Sequence, residues 1–164
     1  MDRRVDGRQL SPSKALFLAI NLAKVEFYSE IARMMDRFQI TALQEQLDEF
    51  PVLLLLGPPR IGKTSLARAV ADDADYAYFD LTLPSARDAI GAAGQGGQLA
   101  ILDGLHLMPD VIPLVRERAG QGGQFILNAP YAPDGLQTLS GFVSVAEVSG
   151  FSALDIDPDA TDML

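Results

Sequence analysis

Gly57, Gly62, Lys63 and Thr64 stand at the spacing G-x-x-x-x-G-K-T, and each residue type has a chemical use there. The two glycines let the backbone curl so that successive N–H groups face one anion. A helix opening directly afterwards turns its positive end to the same point. The Lys63 ammonium can reach the outer phosphates of a nucleotide, and the Thr64 hydroxyl is a ligand for Mg²⁺. Pro58, Pro59, Arg60 and Ile61 fill the loop between the glycines, and Ser65 follows on the helix. Gly57 through Ser65 are therefore the candidate nucleotide-binding residues. A plain glycine turn between a core strand and a helix is the competing reading. The context decides for a P-loop, because the apolar run Val52 to Leu56 leads in and a helical pattern leads out.

A phosphate loop alone makes a binder, so hydrolysis has to be argued from other strands. Asp103 ends the apolar run Leu99 to Leu102, at the place of a Walker B carboxylate that helps hold Mg²⁺. An aspartate at a strand end is also a common turn former. The P-loop in the same chain favours the metal role, so Thr64 and Asp103 are the candidate metal ligands. Asn128, closing the run Phe125 to Leu127, is placed to contact a γ-phosphate or its attacking water, with helix capping as the alternative. Lys63, Asp103 and Asn128 are the candidate catalytic residues. His106, just beyond Asp103, is a weaker candidate base, since a single histidine in a strand-helix loop more often packs or faces solvent.

These residues need an alternating α/β scaffold, and the sequence supplies one. Ser11-Pro12 reads as a helix start, and Leu16, Ile20, Ala23, Phe27, Ile31, Met34 and Phe38 form an apolar stripe to about Arg37. Thr41 with Gln44 has the capping-box pattern and predicts a second, short helix to about Glu49. After the P-loop helix come an aromatic strand at Tyr76 to Asp80, a helix from about Ala86 to Ala93 capped by Ser85, and the strand ending at Asp103. A helix over Asp110 to Ala119 and strands at Phe125 to Asn128 and Phe142 to Val148 complete the pattern. The repeat Ala-Gly-Gln-Gly-Gly-Gln at 93–98 and 119–124 invites a reading as phosphate loops. Both copies follow helices, however, where Gly94 and Gly120 suit a left-handed C-cap. The domain plan is an N-terminal helical segment over 1–49, a nucleotide-binding domain over 50–150 and an acidic tail over 151–164.

Composition narrows the function classes. The chain has 164 residues and a net charge of −9, enough length for one domain with its own core. The charge is uneven: residues 1–69 carry ten Lys/Arg against eight Asp/Glu, and residues 70–164 carry three against fourteen. An acidic second half argues against nucleic acid as a partner. The absence of cysteine excludes disulfides, thiolate catalysis and Cys-based zinc sites. The polar N-terminus and the lack of a long apolar run point to a cytoplasmic protein with no membrane partner.

At these motifs the sequence resembles the prokaryotic predicted ATPases of the AAA-type P-loop superfamily, those with GPRQxGKTTL, DEIQ-x-x-P and LTGS segments. Here the segments stand as Gly57 to Leu66, Asp103 to Pro109, and Leu127 to Pro130. The resemblance runs from about Phe50 to Val148. It implies an α/β, three-layer P-loop NTPase of AAA-like type, with a five-stranded, mainly parallel sheet preceded by N-terminal helices and ATP bound at the strand C-termini. The departures matter as much. The family's water-positioning glutamate is Gly104 here, its LTGS threonine is Asn128, and its later arginine aligns with Phe142. The family's large C-terminal region has no counterpart in this chain.

The reading that follows is an ATP-binding module that uses Mg²⁺, with weak or absent hydrolysis, acting as a nucleotide-dependent regulatory or interaction protein. The apolar N-terminal helix is its surface for a protein partner or for self-association. Restoring glutamate at Gly104 is expected to raise hydrolysis. A small-molecule or nucleoside kinase is the second reading, but it has only Arg87, Arg116 and Arg118 as late cations. A degenerate scaffold that binds no nucleotide is the third.

Overall fold

The structure, a computed structural model, describes residues 22–23, 36–71 and 74–149. The expected helix start at Ser11-Pro12, most of the apolar stripe before Phe38, and the acidic tail lie outside the described residues. Helix α1 is seen over residues 36–49 and stops at Phe50, the residue before Pro51, where helical backbone clashes with the proline ring. Five strands follow, alternating with helices: β1 (Val52–Leu56), α2 (Lys63–Ala71), β2 (Tyr76–Asp80), α3 (Pro84–Ala89), β3 (Leu99–Asp103), α4 (Ile112–Gly120), β4 (Gln124–Ala129) and β5 (Val143–Glu147). The strands lie in the order β2-β3-β4-β1-β5, and every pairing is parallel.

Helices cover both faces, so the central strands must be apolar on both sides, and β1, β3 and β4 read as near-continuous runs. Alternate side chains divide between two cores. Leu54, Leu102, Phe125 and Leu127 face the side of Ile112 and Val115 from α4. Leu53, Leu55, Ile101 and Ile126 face the other side, with Ala67 and Val70 of α2 and Leu43 and Leu47 of α1. Burying each of these leucines stabilises the fold by about 1.5–3 kcal/mol. Helix α1 is fixed further by polar contacts. Gln44 Nε2 donates to the Val70 carbonyl at 3.2 Å, Gln124 Nε2 donates to the Leu47 carbonyl at 3.2 Å, and Ser144 Oγ donates to Gln46 Oε1 at 2.8 Å.

Three local expectations are corrected. Thr41 lies inside a continuous helix rather than capping a new one. Ile40, Leu43 and Leu47 carry one apolar stripe through it, and burial of that stripe outweighs the capping-box signal. Ser85 is not the cap of α3, which starts at Pro84 after the extended residue Leu83 with no side-chain cap bond. Gly120 is the last residue of α4, and Gly122 takes the left-handed conformation instead, at φ +92°.

The two glycine-rich repeats are turns, and they pack on one another. A Cβ on Gly123 would lie 2.8 Å from the Gly94 carbonyl oxygen, and one on Gly94 would lie 2.4 Å from the Phe125 ring. Both turns lead into strand starts, β3 and β4, at the end of the sheet away from the P-loop. Among the described residues, no helix is long and apolar enough to cross a membrane.

Candidate functional site

Parallel strands end together, and here the ends of β1, β3 and β4 meet at one edge. Register pairs Asp80 with Asp103, Asp103 with Asn128, and Asn128 with Leu55, so these four side chains form a row on the α2 face of the sheet. Strand β4 lies between β1 and β3. The chain crosses from β1 to α2 through the loop 57–62, which is tied down on two sides. Gly57 N–H donates to the Ala129 carbonyl at 3.3 Å, and Val148 N–H donates to the Leu56 carbonyl at 2.6 Å. Gly57 also passes so near β5 that a Cβ there would meet the Val148 oxygen at 2.4 Å. Arg60 adopts φ +64°, the sole non-glycine residue at positive φ among the described residues.

The loop turns Lys63 inward. Its ammonium donates to the Gly57 and Pro58 carbonyls at 2.5 and 2.6 Å, beside the first turn of α2. Burial lowers the Lys63 pKa from its usual value, opposed by the negative charge of Asp103. The next residue, Thr64, donates its hydroxyl to Asp103 Oδ2 at 2.5 Å. Pro58, Pro59, Arg60, Gly62 and Ser65 are exposed around the loop, while Ile61 packs on the core beneath α2. Asn128 is fully buried, and neither its Oδ1 nor its Nδ2 has a hydrogen-bond partner. A buried amide with no partner costs about 1–3 kcal/mol for each unmet group.

Two residues that the sequence reading did not assign to the site join this cluster. Tyr78 of β2 donates its hydroxyl to the same Asp103 Oδ2 at 2.9 Å, and the Arg68 guanidinium carbon lies 4.7 Å from the centre of the Tyr78 ring. Burial, and then the hydrogen bond to Asp103, push the Tyr78 pKa up to about 12. The available signal was the alternation Tyr76, Tyr78, Asp80, which sets Tyr78 on the face of the strand-end acid.

Other candidates stand apart. Gly104 has φ +87°, a backbone that side chains other than glycine rarely adopt. The expectation that glutamate placed there raises hydrolysis therefore changes, because the new side chain would have to strain or rearrange the strand end. Phe142 precedes β5 and accepts the Val52 N–H, which puts it at the opposite end of the sheet from Thr64. Arg116 and Arg118 lie in the last turns of α4, which lead into the start of β4, so they too are remote from the P-loop. His106 stacks edge-on against Tyr131 with ring centres 5.6 Å apart, and its Nδ1 has no partner. A groove of about 510 Å³ between α4 and Phe142 is lined by none of the P-loop residues.

Residues 53–113 match the family model described as "ATPase family associated with various cellular activities (AAA)". The chain is similar to an uncharacterised protein of Mycobacterium tuberculosis, 32% identical over 134 residues, covering 74% of this chain and 30% of that protein. It is also similar to the Lon protease of Mycoplasmopsis agalactiae, 47% identical over 45 residues, covering 27% of this chain and 4% of that one. Among solved structures it is similar to a DNA replication initiation factor, with a TM-score of 0.45 and 14% identity over 73% of this chain and 46% of the other. The chain thus spans 30% of the length of the mycobacterial protein it matches. The stretch that matches the AAA family model is the one that carries Thr64 to Asp103.

Proposed function

We propose that this chain is an ATP-binding module that takes Mg²⁺ with the nucleotide and turns it over slowly or not at all. The observation that carries the reading is the Thr64–Asp103 hydrogen bond at 2.5 Å, with Lys63 held in the adjoining loop. Thr64 and Asp103 offer hard oxygen donors, the kind Mg²⁺ prefers. The loop amides, the start of α2 and the Lys63 ammonium offer positive charge to phosphates. The orphaned amide of Asn128 beside Asp103 supports the same assignment, since a γ-phosphate or a water could satisfy it. When bound, the metal supplies charge neutralisation to the phosphates. Lys63 would exchange its two carbonyl partners for phosphate oxygen, and Thr64 and Asp103 would hold the metal beside the loop.

Slow turnover follows from what is missing at the strand end. Gly104 has no side chain to orient water or accept its proton, and the neutral amide of Asn128 accepts none. Nucleotide occupancy would then act by ordering the loops after β1, β3 and β4. Helix α1 is coupled to that state because it packs beside α2 and donates a hydrogen bond from Gln44 Nε2 to the Val70 carbonyl. This suits a regulatory or interaction role. Calorimetric titration with ATP and Mg²⁺ tests the reading on wild type and Lys63→Ala. Saturable heat in wild type and its loss in Lys63→Ala is the expected result, and equal heats in the two proteins would remove nucleotide binding.

A further inference from the structure

Asp103 Oδ2 accepts two hydroxyl protons, one from Thr64 at 2.5 Å and one from Tyr78 at 2.9 Å. Both fall on the same oxygen. Among the described residues Oδ1 receives no hydrogen bond. A carboxylate held by one hydroxyl can still rotate about its Cβ–Cγ bond, whereas two donors converging from different elements fix its plane. The donors do come from different elements, α2 over the sheet face and β2 beside β3.

Tyr78 is itself held. Its ring faces the Arg68 guanidinium at 4.7 Å, a cation–π contact. Arg68 is one helical turn beyond Thr64, so both project toward the same side of α2. The contacts therefore close a ring: from Thr64 in the first turn of α2 to Asp103 on β3, across to Tyr78 on β2, and back to Arg68 in the second turn of α2. Nothing in this ring requires nucleotide to form.

We propose that Tyr78, steadied by Arg68, is a positioning residue for the metal-binding carboxylate. It anchors Oδ2, leaving Oδ1 to face the metal or a water on it, and it keeps that orientation while the Thr64 oxygen acts as a ligand. This inference rests on the Mg²⁺-nucleotide reading above and adds to it a residue outside the P-loop and both strand-end motifs. Tyr78 would act on metal affinity and leave the loop's grip on phosphate intact, because neither its hydrogen bond nor its cation–π contact is with residues 57–62.

The test compares wild type with Tyr78→Phe, which keeps the ring, its packing and its stacking and deletes only the hydroxyl. Fluorescent ATP binding in EDTA reads the phosphate grip without metal. Electron paramagnetic resonance then follows free Mn²⁺ titrated into protein saturated with a non-hydrolysable ATP analogue. Tyr78→Phe is expected to bind metal-free nucleotide within about twofold of wild type and to bind Mn²⁺ about tenfold or more weakly, the usual effect of removing a second-layer partner. In an Asp103→Ala background the same substitution should add no further loss. Arg68→Gln should lower Mn²⁺ affinity in the same direction by less. Unchanged Mn²⁺ affinity in Tyr78→Phe would overturn the proposal, as would an equal loss in the Asp103→Ala background or a parallel fall in metal-free binding. Wild type that binds no nucleotide in either measurement would overturn the underlying reading, and this inference with it.

Discussion

Replacing Asn128 by leucine should make the protein more stable and less responsive to ATP. The amide is fully buried with both polar atoms unpartnered, and leucine offers the same number of side-chain heavy atoms without any polar group. Removing two unmet groups is worth about 1–3 kcal/mol each. The wider, tetrahedral leucine head gives back about 1–3 kcal/mol through crowding between Leu55 and Asp103. A net gain of about 2 kcal/mol remains, which corresponds to roughly 4–8 °C in melting temperature for a chain of this size. Urea unfolding measures the free energy directly, and an unchanged m-value would show that the denatured state is unaltered. Thermal shift with ATP and with ADP supplies the second half. Wild type at a hundredfold excess over Kd gains about 2.7 kcal/mol from ligand, and the ATP-over-ADP difference should shrink in Asn128→Leu. A variant that melts below wild type would refute the reasoning, because it would mean the amide is already satisfied in the free protein.

Three other outcomes follow from the same geometry. Arg60→Gly relieves a left-handed backbone at φ +64° and should raise stability by about 1 kcal/mol, read from urea midpoints. Gly104→Glu forces a side chain onto φ +87° and should lower stability by about 1–2 kcal/mol without a rise in phosphate release; a rise would show that the strand end can rearrange. Tyr78 has its pKa raised from 10.0 to about 12, so its neutral form is favoured by folding; the stability it contributes is complete below pH 10 and is lost as pH climbs toward 12. Absorbance titration at alkaline pH should show a late-ionising tyrosine that disappears in Tyr78→Phe, and its persistence there would assign it elsewhere.

The elements were legible because their signals are local. The apolar run Val52 to Leu56, broken at Gly57, announces a buried strand, and the spacing from Gly57 to Thr64 announces the loop after it. Placing strands at Tyr76, Leu99, Phe125 and Val143 needs only run length and intervening turns, and the strand bounds fall within a residue or so of those expected. Where two local signals competed, sequence could not arbitrate. The capping box at Thr41 lost to a stripe whose value depends on the sheet face that buries Leu43 and Leu47. The positive φ at Gly104 and the distant position of Phe142 were likewise out of reach, since a motif alignment carries residue types and not backbone directions.

What the sequence by itself determined is the inventory: a glycine-bounded loop ending in Lys63 and Thr64, a carboxylate and an amide at strand ends, and a glycine directly after the carboxylate. Only the tertiary structure decided which of these meet. The order β2-β3-β4-β1-β5 brings Asp103 of β3 to Thr64, which opens the helix after β1, although β4 lies between β3 and β1, and it sets Tyr78 against the same carboxylate. Strand order arises from the packing of both faces at once, a property of the whole chain. Spacing along the chain fixes the neighbours one helical turn or one strand step away, and those across the sheet are fixed by the pairing.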